Sequence, residues 1–305
     1  MMVKSTYDSA FQEIRNDRTT GAGALARKAA QVVLQTASTL TGEPAAFLQE
    51  LVQISKVLIE SQPSMAPIFH LVNVLLLAAE GKKDQQRMRQ AVTAAIEAFV
   101  SRLETGIEEI SRRSYDLIPD GSRILTHSFS TTVLRVLSDA KVKEKRFDVI
   151  CTESRPICEG YEMAAKLAEA QIGVQLQIDS AGPYAIRGAD LVLVGADCIT
   201  PLGLVNKVGT YGVALSAEER GIPFYVLCGT EKLLGAGMAK GFRILRKDPK
   251  EIWSEAPKGV EVLNFYFDTT PLNFLTAIVT EEGVIRGSDL FNRFEKMKVS
   301  PYFPS

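Results

Sequence analysis

Apolar residues recur at helical spacing through the first hundred positions of the chain. Residues 22–40 are alanine-rich, with apolar positions three and four apart. The pattern returns at 47–59, 67–80 and 85–110. Breaks fall at 41–44, 61–67 and 80–83, where Gly, Pro and polar residues gather. No strand-type alternation interrupts this half. The pattern predicts a helical domain over residues 1–114.

The texture changes at 118–121, Ile-Pro-Asp-Gly. Short apolar runs at 123–126, 148–152, 173–178, 191–194 and 224–228 read as strands. Helical patterns at 130–137, 161–170 and 211–219 lie between them. Beyond an irregular stretch, 262–267 reads as another strand, 272–277 as a short helix and 278–285 as a last strand before a C-terminal helix. Strands alternating with helices predict an α/β class, with residues 115–305 forming a Rossmann-like doubly wound parallel sheet. Several strands run straight into polar residues: His127-Ser128, Glu153-Ser154-Arg155, Asp179-Ser180, Asp197 and Gly229-Thr230. In open α/β sheets that edge is where ligands bind.

The stretch 191–211, LVLVGADCITPLGLVNKVGTY, concentrates the chemistry. Asp197 follows a buried strand. Asn206, Lys207, Gly209 and Thr210 stand near the start of the next helix, where free N–H groups and the helix dipole favour anions. An acid at a strand end and a lysine at a helix start suit a phosphorylated small molecule. A turn-capping Asp197 and a solvated Lys207 are the plainer alternative. Ser128, His127 and Asp197 resemble a nucleophile triad only superficially. Neighbouring strand residues point to opposite faces, so His127 cannot serve Ser128, which is left with no adjacent base. No GxSxG elbow exists. Gly21-Ala22-Gly23 lacks the preceding strand of a dinucleotide fingerprint.

Composition narrows the partners. The 305 residues carry a net charge of -1 and are 46% hydrophobic, so the chain reads as globular without a nucleic-acid binder's basic footprint. No membrane-length apolar run and no signal-peptide core occur, which makes the cytoplasm the expectation and gives the membrane no part. Four cysteines and two histidines show no zinc spacing, so neither a metal nor a cofactor is expected. Cys151 and Cys228 lie in apolar runs and read as buried. Cys158 and Cys198 follow strand ends and could line a site.

The motifs THSFSTTVLRVL (126–137), ESRPICEGYEMAAKL (153–167), VGADCITPLGLVNKVGTY (194–211), PFYVLC (223–228) and FDTTPLNFLTAIVTEEGVI (267–285) occur in order. Together they resemble the family of translation initiation factor 2B alpha, beta and delta subunits, which also holds methylthioribose-1-phosphate isomerase and ribose-1,5-bisphosphate isomerase. TTGAGALARKA (19–29) and QPSMAPIFHLVN (62–73) extend the resemblance more weakly. It implies a helical domain, a Rossmann-like domain and a homodimer or larger even-numbered oligomer built through the latter; related subunits are possible partners.

The isomerase branch uses a cysteine and an aspartate. The aspartate falls on Asp197, but the cysteine position is Ser128, which cannot supply a thiolate. The phosphate arginine before Gly21-Ala22 is Thr20 here, with Arg18 two residues earlier. A second arginine falls on Gln62. A glutamine falls on Glu159, whose charge repels phosphate unless it is paired. Asn206 and Lys207 match. The resemblance is therefore nearer the initiation-factor branch: an alpha-like regulatory or scaffold subunit without isomerase activity. Its crevice for a phosphorylated sugar or nucleotide would draw on Arg18, Gly21, Ala22, Arg155, Glu159, Asn206, Lys207, Gly209 and Thr210. The alternative is an aldose–ketose isomerase of a phosphorylated pentose.

Overall fold

The computed structural model describes residues 3–17, 21–40 and 42–304, without the side chains of residues 3–8 and 288. By packing, the chain divides into two units. One takes the residues up to Thr105 together with Leu233–Arg243 and Phe294–Ser305. The other takes Gly106–Lys232 and Ile244–Arg293. The division falls inside a helix, nine residues before the 114/115 boundary drawn from the sequence, and the helical unit takes in two later segments.

The first unit is built from α1 (Val3–Asn16), α2 (Ala22–Thr39), α3 (Pro44–Ser61), α4 (Ala66–Ala79) and the first two-thirds of α5 (Gln85–Ser114). In α2 the buried face runs through Leu25, Ala26, Ala29, Ala30, Val33 and Ala37, where alanine lets helices approach closely. Pro44 starts α3, where its missing N–H costs nothing. α4 is apolar nearly all round and lies central, with Ile68, Phe69, Leu71, Val72, Leu75 and Leu76 fully buried. Its polar residues fasten the later segments. Asn73 donates to Lys298 O at 2.9 Å and accepts from Ser300 N at 2.9 Å. His70 Nε2 lies 2.5 Å from Leu233 O. Such anchors satisfy buried polar groups that would otherwise be costly.

The second unit holds a seven-stranded sheet in the order β10-β9-β7-β4-β1-β2-β3. Its strands are β1 (Ser122–Thr126), β2 (Phe147–Thr152), β3 (Gly173–Gln177), β4 (Leu191–Val194), β7 (Phe224–Leu227), β9 (Ala277–Thr280) and β10 (Gly283–Ile285). All pair in parallel except β10 with β9. The helices are α6 (Thr131–Val142), α7 (Gly160–Glu169), α8 (Gly182–Ala185), α9 (Thr210–Glu219) and α11 (Ser288–Lys296), with α10 (Ala236–Ala239) in the other unit. Leu191–Val194 is buried at every position, as a central parallel strand must be. The chain turns from β1 outward to β2 and β3 on one side and to β4, β7 and β9 on the other. The switch point therefore lies between β1 and β4.

Three sequence readings are corrected here. The strand expected at 262–267 is only a single bridge, Arg246 with Phe265; the real strand, β8, is Phe267–Thr270. It joins β5 (Cys198–Thr200) and β6 (Gly203–Lys207) in a small antiparallel sheet that periodicity did not reveal, because strands of three to five residues are too short to show alternation. The helix expected at 272–277 is one 3-10 turn, Leu272–Phe274, and Ala277 already belongs to β9. The strand expected at 278–285 is a hairpin. Thr280 Oγ1 accepts from Glu282 N and Gly283 N, each at 3.2 Å, and turns the chain back. The sheet is thus mostly parallel with one antiparallel edge. The apolar stretch 265–278 contributes to β8 and the start of β9.

Candidate functional site

His127 and Ser128 follow β1 at the switch point, and Asp197 follows β4. His127 is buried. Its Nε2 lies 2.9 Å from Val208 O and its Nδ1 2.5 Å from Thr152 Oγ1. A carbonyl oxygen only accepts, so Nε2 carries the hydrogen and Nδ1 accepts from the Thr152 hydroxyl. Burial holds the imidazole pKa below its ordinary value, against the pull of the Val208 carbonyl and the Asp179 and Asp268 charges. Gly209, at φ 107, lies against the ring: a Cβ there would sit 3.1 Å from Nε2. His127 is thus a neutral latch holding the loop before α9 to the ends of β1 and β2.

Ser128 adopts a left-handed backbone, φ 73, fixed by its N–H donating to Ser154 Oγ at 2.8 Å. Its hydroxyl donates to Glu159 Oε1 at 3.0 Å, so the serine does have a carboxylate beside it. Sequence distance hid this, because Glu159 stands 31 positions away. Lys207 Nζ lies 2.7 Å from the same Glu159 oxygen, with side-chain exposures of 4% for the lysine and 22% for the glutamate. The ammonium also faces the ring of Tyr266 at 4.7 Å. Lys207 is therefore not solvated; it ends β6, three residues before α9, shielded and paired. Gly160 permits this arrangement. A Cβ on it would come within 1.8 Å of Thr152 O, so only glycine lets α7 begin against the end of β2 and carry Glu159 inward.

Asp197 keeps some exposed surface, and its carboxylate makes no hydrogen bond among the described residues. Burial raises its pKa; Lys232 and Lys207 oppose the shift and Glu159 adds to it. Glu159 Oε2 is likewise buried without a partner. Both carboxylates thus carry oxygen that no protein donor satisfies among the described residues.

The groups expected to hold an anion are arranged otherwise. Asn206 Nδ2 donates to Thr210 Oγ1 at 3.1 Å, and that hydroxyl donates to Lys207 O at 2.6 Å. Gly209 N and Tyr211 N both donate to Asp268 Oδ2, at 2.8 and 3.2 Å. The start of α9 thus already holds a carboxylate, supplied by β8. Burial raises the Asp268 pKa, with the two N–H groups opposing. Asp179 braces the loop after β2, accepting from Ser154 N and Arg155 N at 2.7 Å each. Arg155 is exposed, and its guanidinium makes no hydrogen bond or ion pair among the described residues.

In the helical unit, Gly21 caps α2 and Ala22 begins it. Arg18 and Thr20 lie outside the described residues. Gln62 is spent on the chain itself, donating to Ile14 O at 2.5 Å and Asp17 O at 3.3 Å. Cys198, expected to be able to line a site, is fully buried in β5, and burial pushes its thiol pKa up. The Cys151 thiol is pushed up to about 12 for the same reason. Neither supplies the missing thiolate. Sequence reading missed Asp268, Thr152 and Lys232. Asp268 and Thr152 stand at or beside quoted motifs, but only the fold shows what they touch.

The initiation factor 2 subunit family model matches residues 18–287. The chain belongs to that family. It is 33% identical over 280 residues to a ribose 1,5-bisphosphate isomerase of Archaeoglobus fulgidus, covering 90% of this chain and 88% of that protein. It is 32% identical to a putative translation initiation factor eIF-2B subunit 2-like protein of Pyrococcus furiosus, covering 90% and 94%. The crystal structure of translation initiation factor eIF-2B from Pyrococcus horikoshii superposes with a TM-score of 0.77 at 31% identity, covering 92% of this chain and 97% of that one. Relatives of similar likeness thus carry both enzyme and factor names.

Proposed function

We propose that this protein is a small-molecule-binding member of the initiation factor 2 subunit family. It takes a phosphorylated sugar or nucleotide in the crevice between β1 and β4, and it does not catalyse thiolate-dependent isomerisation. The observation that carries this reading is the Ser128–Glu159–Lys207 chain beside an unbonded Asp197. Two departures from the isomerase pattern, serine for cysteine and glutamate for glutamine, touch each other. A paired replacement of this kind gives the serine hydroxyl and the lysine a shared partner while removing the sulfur nucleophile. Asp197 supports the reading as an acceptor for ligand hydroxyls, with the exposed Arg155 and with Lys232, whose charge acts on Asp197, as cations for the phosphate. The role is regulatory or scaffolding, in an even-numbered assembly of this chain or of related subunits. Exposed Leu202, Tyr184 and Leu215, at 86%, 68% and 49%, give such an assembly apolar surface.

A screen of sugar phosphates and nucleoside monophosphates by thermal shift tests the site; no stabilising compound among them would end the reading. Light scattering tests the assembly, which fails if the mass is that of one 33.4 kDa chain. The second reading is an aldose–ketose isomerase. It is favoured by two carboxylates in unlike settings, Asp197 raised by burial and Glu159 held by a lysine, as acid–base chemistry requires. NMR with ribose 1,5-bisphosphate and methylthioribose 1-phosphate separates the two. No turnover by the wild type is expected; turnover abolished by Asp197→Asn would establish the enzyme.

A further inference from the structure

Residues 247–264 form a long loop in the second unit. Apart from one 3-10 turn, Pro249–Glu251, it has no regular structure. Loops of that length inside a compact unit are usually lids or binding segments. Its base is clamped: Lys247 N donates to Asn264 O at 2.9 Å, beside the Arg246–Phe265 bridge. Beyond the clamp little holds it. None of residues 248–263 is buried, and Ile252, Trp253, Val260 and Leu263 stand 42–49% exposed. Every hydrogen bond and ion pair of residues 248–263 stays within the loop or goes to its base. The side-chain bonds that pin it converge on one atom. Glu251 Oε2 accepts from Asn264 Nδ2 and from the Tyr266 hydroxyl, each at 2.7 Å. Few buried contacts and few polar anchors mark a segment that opens locally.

Tyr266 joins this loop to Lys207. Its carbonyl accepts from Val208 N at 2.8 Å, which fixes its backbone, while its hydroxyl is held by the loop. Its ring faces the Lys207 ammonium at 4.7 Å. The lysine side chain is only 4% exposed, with Glu159 and this ring against it. We propose that residues 248–263 are a lid over Lys207, pinned shut by Glu251 through Tyr266. When Glu251 releases the hydroxyl, the loop lifts on its Lys247–Asn264 clamp, the ring turns outward and the ammonium meets solvent. The device controls access to a charge and does not depend on what binds there, so it stands apart from the phosphorylated-ligand reading.

Acetylation of the full chain by an N-hydroxysuccinimide ester, read by peptide mass mapping, tests the lid. Lys207 should react far more slowly than the exposed Lys250 and Lys258. Glu251→Ala and Tyr266→Phe each remove the pin and leave a ring at 266. Each should speed acetylation of Lys207 about tenfold, the factor for losing a hydrogen bond to a charged acceptor. The chain's lone tryptophan, Trp253, lies two residues beyond Glu251 and reports on the loop. Its fluorescence should become easier to quench with acrylamide in both variants. Wild-type acetylation rates at Lys207 in the two folded variants overturn the inference. So does faster acetylation with unchanged Trp253 quenching, because the ring then moves without the loop. If neither variant folds, hydrogen exchange of the wild type decides. The amides of residues 252–263 should exchange ahead of those in β6 and β8, and equal protection overturns the lid.

Discussion

His127 and Asp197 stand just beyond neighbouring strands, β1 and β4, on the same edge of one sheet. The fold treats them oppositely. Both ring nitrogens of His127 have protein partners, and the ring is buried among them. Asp197 has no hydrogen bond to its carboxylate among the described residues and keeps some exposure. A polar group that the chain satisfies completely is holding the chain together. One that it leaves open in a crevice costs stability and is kept for something else. Glu159 joins the two cases within a single carboxylate: Oε1 is bound twice by the protein, and Oε2 is buried without a partner.

Lys207 gives the largest expected effect and the hardest test of this contrast. Truncating it to alanine strands the Glu159 charge, and breaking a shielded ion pair costs about 3–5 kcal/mol. Urea unfolding of Lys207→Ala should show a loss of unfolding free energy of that size. A shift near zero would mean that Lys207 belongs with the open groups and not with the latch. His127→Ala comes next. It orphans the Val208 carbonyl and the Thr152 hydroxyl and opens a cavity, for about 2–4 kcal/mol. Asp197→Asn should act the other way. Replacing a desolvated, unbonded carboxylate by a neutral amide should raise the melting temperature by about 2–4 °C, roughly 1 kcal/mol in a unit of this size. A lower melting temperature for Asp197→Asn would place Asp197 with His127 and remove the main argument for the site.

The sequence carried the large features because they rest on long patterns. Alanine-rich helical spacing over 22–40 and apolar runs such as Leu191–Val194 have no competing reading at that length. The placing of Asp197 beyond β4 was legible because the carboxylate follows the strand directly. What escaped was every feature made by pairing distant residues. β5, β6 and β8 are each stabilised by a neighbour, not by local pattern, so the strand that Lys207 ends, three residues before α9, leaves no periodic signal. Asp268 reaches Gly209 across 59 positions and fills an anion site that looked vacant. Glu159 reaches Ser128 across 31 positions and turns a serine that seemed baseless into one held by a carboxylate. The charge of a residue can be read from the chain, whereas whether another part of the chain has already used it cannot.

The smallest effect is a pH dependence, and it divides the same two groups. Burial lowers the His127 pKa in the fold below its ordinary 6.5. As pH falls through 6.5, the unfolded chain takes up a proton that folded His127 resists. The neutral-histidine contribution is therefore fully present above 6.5 and is lost as pH falls toward the folded value, at no more than about 1.4 kcal/mol per pH unit. Asp197 and Asp268 have the opposite sign. Burial raises both from 3.8, so the fold holds their protons more tightly than the unfolded chain does, and their contribution declines as pH rises through the folded values. Unfolding free energies at pH 5.5, 6.5 and 7.5 should therefore fall toward the acid side in the wild type and fall less steeply in His127→Asn. His70 is present in both proteins, so the difference isolates His127. Identical slopes would mean that His127 takes up its proton in the fold, and that Val208 and Thr152 do not hold it as a neutral latch.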